Sequence, residues 1–232
     1  MKTKLALLAT TALAALAIAT PANAAGSGWY VSLTGGANWL NDNDFVTASA
    51  PDTFLFNSES ETGYVIAGAV GYSLANVAPG LRVEAEVAYR QNQVDGIWAS
   101  DNVITDPTGT DSGVLDFDHS TLSVLANVWY DFDMGGVRPY VGGGIGWADT
   151  DVDGTFLGGS VPAFNVGDNG FAWQLGAGVN FQVAPNVQLG VGYRYFAGPE
   201  TTISAPEPAN NVLTGDLDSD NHSAVATLTF GM

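Results

Sequence analysis

Residues 80–91 read GLRVEAEVAYRQ, and four charged side chains recur there on alternate positions: Arg82, Glu84, Glu86 and Arg90. On an extended strand they share one face, while Leu81, Val83, Ala85, Val87 and Tyr89 share the other. Guanidinium and carboxylate groups gathered away from water can pair as a static polar core or line a passage for ions. Arg138 and Arg194 are the remaining arginines, so Arg82, Glu84, Glu86, Arg90, Arg138 and Arg194 form one candidate charge network.

Three other groupings could carry chemistry. DTDVDG places Asp149, Asp151 and Asp153 before Gly154, as at the start of a calcium loop, but Ser160 stands where the twelfth-position glutamate would be. It is a weak metal candidate. His119-Ser120 and His222-Ser223 set a base beside a hydroxyl. Neighbours on a strand point to opposite faces, so neither pair is poised for base-assisted attack. GGGIG at 142–146 is no phosphate loop, because no Lys-Ser/Thr follows it. The sequence therefore leads us to expect no cofactor, no catalytic residue and no enzymatic activity.

The chain as a whole limits what these residues serve. It has 232 residues, no cysteine and 24 acidic against 6 basic side chains. Nucleic-acid binding needs a basic face and is disfavoured. Lys2 and Lys4 precede an apolar run from Leu5 to Ala19, and Ala22-Asn23-Ala24 follows. That order has the form of a secretory signal peptide over residues 1–24, leaving residues 25–232 as one domain.

Period-two alternation recurs through that domain. It predicts eight strands, over Trp29–Leu40, Gly63–Leu74, Leu81–Gln91, Ser120–Phe132, Arg138–Ala148, Gly170–Val183, Val187–Phe196 and His222–Met232. Short turns around Pro79-Gly80, Gly135-Gly136 and Pro185 alternate with long connections, as in membrane barrels. The long connections hold all carboxylates except Glu84, Glu86, Asp131 and Asp133.

A soluble β-sandwich would also alternate, but its strands are shorter and its polar faces carry charge throughout. Here the strands match the roughly 9–11 residues that cross a bilayer. Aromatic residues also gather at strand ends on the apolar face. Trp29, Tyr72, Tyr130, Phe181 and Phe230 fall at one rim; Trp39, Tyr64, Tyr89, Trp147, Trp173, Tyr193 and Tyr195 fall at the other. Two aromatic belts around an apolar band fit the two interfaces of a membrane. The expected fold is an all-β, eight-stranded antiparallel up-and-down transmembrane β-barrel, with arginines and glutamates in the lumen. A structural, packed lumen and a narrow charge-gated pore both remain open on these residues. The acidic outer connections suit a repulsive solvated surface, or divalent cations bridging to lipopolysaccharide phosphates, or host surface molecules.

GWYVSLTGGANW, GVRPYVGGGIGWA and FAWQLGAGVNFQVAPNVQLGVGYRYF resemble the outer-membrane β-barrel domain family of Gram-negative bacteria, which includes opacity-type porins and OmpA-like barrels. The resemblance implies location in the cell outer membrane and a non-enzymatic structural or surface-interaction role, with a small passive channel as the alternative. It also implies outer-membrane lipid, lipopolysaccharide and the barrel assembly machinery as partners. Such barrels usually end on an aromatic residue read by that machinery; here Phe230 is followed by Gly231-Met232.

Overall fold

The computed structural model describes residues 28–41, 45–49, 52–101, 110–157, 164–206, 212–217 and 219–232. The expected signal peptide lies outside them. Twelve strands follow in chain order: β1 (Gly28–Leu40), β2 (Phe45–Ser49), β3 (Asp52–Ser60), β4 (Gly63–Ser73), β5 (Leu81–Asp101), β6 (Thr110–Asp131), β7 (Val137–Leu157), β8 (Phe164–Ala184), β9 (Val187–Ala197), β10 (Thr201–Pro206), β11 (Val212–Leu217) and β12 (Asn221–Gly231). No helix occurs among the described residues.

Eight of these strands close a barrel in the order β5-β4-β1-β12-β9-β8-β7-β6, and β5 pairs with β6 to complete the circuit. Every pairing is antiparallel, from Val31 opposite Phe230 to Leu81 opposite Tyr130. Closure leaves no open edge in this wall, which is the condition for a sheet in hydrocarbon. The eight expected strands are these eight, displaced by a residue or two at most of their short-turn ends. At the β4–β5 turn Gly80 takes φ +87°, and a Cβ there would lie 2.4 Å from the Asp131 carbonyl oxygen. Conformation and space both call for glycine.

At the long-loop end the structure departs from the expectation. β5, β6, β7 and β8 run 21 or 22 residues each, well beyond the spans read from the alternation. β3 takes over from β4 as the neighbour of β5, from Ser60 opposite Val94 to Thr53 opposite Asp101. β2 pairs with β3, and β10 with β11. The reason is physical: beyond the lipid the backbone ladder can continue, but the requirement for an apolar outer face ends, so the alternation stops marking strand.

Within the barrel the alternation is obeyed. Val87, Val124, Val128, Ile145, Leu175 and Val191 are among the exposed outward side chains. Their inward neighbours Glu86, Ser123, Leu125, Asn127 and Gln174 are buried. An exposed apolar band of this extent around the whole wall requires an apolar environment. The aromatic belts stand on the same outward face. Trp29 packs edge-on against Tyr72 and Tyr130 against Phe132 at the short-turn end; Tyr64 meets Tyr89 and Trp173 meets Tyr195 at the long-loop end. Trp147 and Tyr193 project from the same end, and Phe181 from the opposite one. Trp39 is level with His222 across β1 and β12.

Candidate functional site: the filled lumen

The inward faces build three storeys. The lowest lies near the short-turn end and is centred on Arg82. Its guanidinium forks onto Asp131, with Nε 2.6 Å from Oδ2 and Nη2 3.0 Å from Oδ1, while Nη1 reaches Glu84 Oε1 at 3.0 Å. A fork of this kind is the strongest geometry an arginine offers a carboxylate. The Tyr30 hydroxyl donates to Glu84 Oε1 at 2.8 Å, and Trp129 Nε1 donates to Glu84 Oε2 at 2.9 Å. Tyr140 stands edge-on to Trp129, their centroids 5.6 Å apart. Glycine makes room for these rings: a Cβ on Gly71 would lie 2.2 Å from Tyr30, and one on Gly178 2.6 Å from the Tyr140 hydroxyl.

The middle storey is centred on Glu86. Arg194 Nη1 donates to its Oε2 at 2.6 Å and Gln174 Nε2 to its Oε1 at 3.0 Å. Gln174 also donates to Asn127 Oδ1 at 2.8 Å. Arg90 lies with its guanidinium carbon 3.8 Å from the centre of the Phe196 ring and donates to Ser123 Oγ at 3.0 Å. Above it, an amide storey joins three strands: Asn38 donates to both Asn92 Oδ1 and Asn221 Oδ1 at 2.6 Å, and accepts from Ser223 at 2.6 Å.

Parity therefore brings Arg82, Glu84, Glu86, Arg90 and Arg194 into one lumen, and ion pairs join only some of them. Arg90 is in none of the three ion pairs among the described residues; an aromatic face and a hydroxyl hold it instead. Arg138 is not in them either. It sits half-buried at the short-turn mouth, level with Asn180 and two residues below Tyr140 on the same face. Asp131 completes the lower storey, and Tyr30 and Trp129 cap Glu84. Trp129 shares parity with Thr121, Ser123 and Asn127, so the alternation carried the signal that placed it inside.

The remaining candidates separate. Asp149, Asp151 and Asp153 are on straight β7, not in a loop, and alternate along its outward face above Trp147. Alternate residues on a strand stand about 7 Å apart, too far to wrap one ion. Among the described residues no three His or carboxylate groups could hold a metal ion. Partial burial, with Asp149 and Asp153 on either side, raises the Asp151 carboxyl above its usual range. His222 points outward against Tyr193 and Tyr195. His119 points inward above the aromatic belt, its Nε2 3.3 Å from the hydroxyl of Ser219, a partner far away in sequence. Burial pushes its imidazole down to about 4. The ring is neutral at pH 7, and its hydrogen-bond partner among the described residues is a serine hydroxyl, not the carboxylate of a hydrolytic triad.

A closed wall, apolar outside between two aromatic belts and polar only within, defines an integral membrane β-barrel. The chain belongs to the outer membrane protein β-barrel domain family, whose model matches residues 7–230. Its place is the cell outer membrane, with the short turns on the periplasmic side. Among solved structures it is similar to Neisserial surface protein A, at 21% identity and TM-score 0.53, covering 89% of this chain and 98% of that one. It is also similar to the outer membrane protein OprG from Pseudomonas aeruginosa, at 15% identity and TM-score 0.55, covering 91% and 100%. The outer membrane protease OmpT from Escherichia coli matches at 7% identity and TM-score 0.51, over 92% and 99%. These likenesses concern the fold. No curated protein matches the sequence.

Proposed function

We propose that this barrel is a non-conducting, non-enzymatic component of the outer membrane, serving a structural role and presenting an acidic surface at its outer end. The observation that supports this reading is the lower storey: Tyr30, Arg82, Glu84, Trp129 and Asp131 are hydrogen-bonded to one another inside the lumen, and Tyr140 packs edge-on against Trp129. Opening a path would separate buried ion pairs, each costly to break. At the outer end, Asp149, Asp151 and Asp153 stand outward just above the belt, at the level where divalent cations would bridge them to lipopolysaccharide phosphates.

The charged lumen also suits a small passive channel, and conductance separates the two readings. Purified barrel and its Glu84→Gln variant are inserted into planar bilayers. Neither should give channel events. Steady unitary conductance in the wild type would refute the non-conducting reading, and altered ion selectivity in Glu84→Gln would place the path through the lower storey.

A further inference from the structure

β6 and β12 are four strands apart whichever way the eight-stranded wall is followed. Residues of these two segments can touch only across the bore. Ser219, just before β12, does so: its hydroxyl lies 3.3 Å from His119 Nε2, in the middle of β6. Both residues are buried, at 1% and 2% exposure. The chain between β9 and β12 therefore passes over the outer mouth of the lumen. Its first residues meet its last, since a Cβ on Gly198 would lie 3.1 Å from the Cβ of Ser219 and 3.1 Å from the ring of the buried Phe196. Pro199 covers Gly170 of β8, its Cβ 3.1 Å from where a Cβ on that glycine would stand.

The two sides of this contact are not equally fixed. His119 is held in the wall by ladders on both sides, level with Asn92 of β5 and Val152 of β7. Ser219 stands outside the ladder; Asn221 Nδ2 donates to its carbonyl at 2.8 Å, and the Asn41 N–H donates to the Asp220 carbonyl at 3.0 Å. The charges around the imidazole oppose a proton there or are turned away. On β5 the inward charge below Asn92 is the Arg90 guanidinium, of the same sign as an imidazolium. Asp220 accepts from the Tyr195 hydroxyl. Asp118 of β6 and Asp151 and Asp153 of β7 have outward parity. Glu61, whose carbonyl accepts from Asn92, and Asp168 of β8 are exposed. An imidazolium would be dry in this site, and water could reach it only if the Ser219 side lifted.

We infer that residues 198–199 and 219–220 form a strap across the outer mouth of the lumen, latched by the His119–Ser219 contact, and that a proton on His119 shifts the strap toward release. The neutral ring shares a hydrogen bond with Ser219 in a dry site, where a charge is costly. Freed of the strap, the ring is wet and takes its proton near the ordinary value of about 6.5. Latched, it takes the proton only near 4. Between pH 7 and pH 5 the ratio of open to latched mouth therefore rises about twentyfold. Acid loosens one foot of the connection that carries β10 and β11. The Arg82 storey takes no part, so the latch is independent of whether the lumen conducts.

The chain has no cysteine, so a single introduced thiol is unique. Thr121→Cys sets one on β6, a single inward step below His119, at a position 1% exposed. The full barrel is folded in detergent micelles and treated with dithiodipyridine, which reacts with thiols in acid as well as at neutral pH. Each rate is divided by that of Gly136→Cys, on the exposed short turn, at the same pH. The normalised rate should be low at pH 7 and about twentyfold higher at pH 5, while the unheated barrel keeps its fast-migrating gel band. Adding His119→Gln should remove the pH dependence. Ser219→Ala, which takes away the latch hydroxyl and serves if His119→Gln does not fold, should raise the rate at pH 7. Four results would each overturn the inference: a normalised rate flat with pH, an acid rise that survives in a folded His119→Gln barrel, an acid rise that comes with loss of the gel band, or an unchanged rate at pH 7 in Ser219→Ala.

Discussion

Replacing Arg194 with methionine keeps most of the side-chain volume and removes one charge from the middle of the barrel. Glu86 would lose a donor 2.6 Å away, in a pair whose side chains are 8% and 2% exposed. Breaking a buried pair from one side costs about 3–5 kcal/mol, because the survivor stays charged and dry. Gln174 still donates to Glu86 and Arg90 is close by, so we expect the lower end, about 3 kcal/mol. Glu86→Gln alone strands Arg194 and should cost a similar amount. The double variant leaves neither charge exposed to an empty partner and should cost about 1 kcal/mol or less. The predicted coupling is therefore well above the roughly 0.5 kcal/mol seen between independent sites. Equilibrium urea unfolding in phospholipid vesicles, followed by tryptophan fluorescence, measures all four corners of the cycle. Additive single and double variants would refute the claim that Glu86 and Arg194 stabilise the fold as a pair.

Acidification should weaken the barrel through His119. Its ring is held neutral down to about pH 4, whereas the unfolded chain takes up that proton near 6.5, so this contribution is complete above 6.5 and lost as pH falls toward 4. The loss reaches about 3 kcal/mol, and unfolding midpoints for His119→Gln should lack that slope. Val87→Arg, on the lipid face at mid-height, should destabilise by roughly 2–4 kcal/mol in vesicle unfolding, while the same barrel tolerates arginine on the neighbouring inward parity. Gly36→Ala would set a Cβ 2.1 Å from the Ala224 carbonyl oxygen across the β1–β12 seam. Overpacking of this kind costs about 1–3 kcal/mol, and the variant should show less of the fast-migrating unheated gel band than the wild type.

The membrane-crossing part was legible because hydrocarbon imposes one rule on every strand. A slip of one residue in β5 would turn Arg82 and Arg90 toward lipid, so the order of residues reveals both strand and facing. Sequence could assign Arg82, Glu84 and Glu86 to the lumen, yet not their partners. Parity says which way a side chain points, not how far round the wall or to what height it reaches. Arg82 selects Asp131 of β6, and Arg90 finds Phe196 instead of a carboxylate, through distances set only by the closed barrel. Ser219 beside His119 is a contact between the middle of β6 and the residues just before β12, with no local signature in either segment. Tyr30 and Trp129 show a different gap: parity places both inside, but not that both reach the Glu84 carboxylate.

The overshoot of β5 and β6 past the upper belt alters what the cell exterior meets. Residues 92–101 of β5 remain hydrogen-bonded to β6 on one side and, over most of that length, to β3 on the other. At about 3.3 Å per residue that rail is roughly 30 Å long before tilt. Fluctuations of its tip are tied to the same cooperative lattice that spans the bilayer. An enzyme that cleaves surface polypeptides should therefore clip only near the connecting tips and leave the rail standing. Whatever docks there meets a stiff mast rooted in the membrane, not a loose tether.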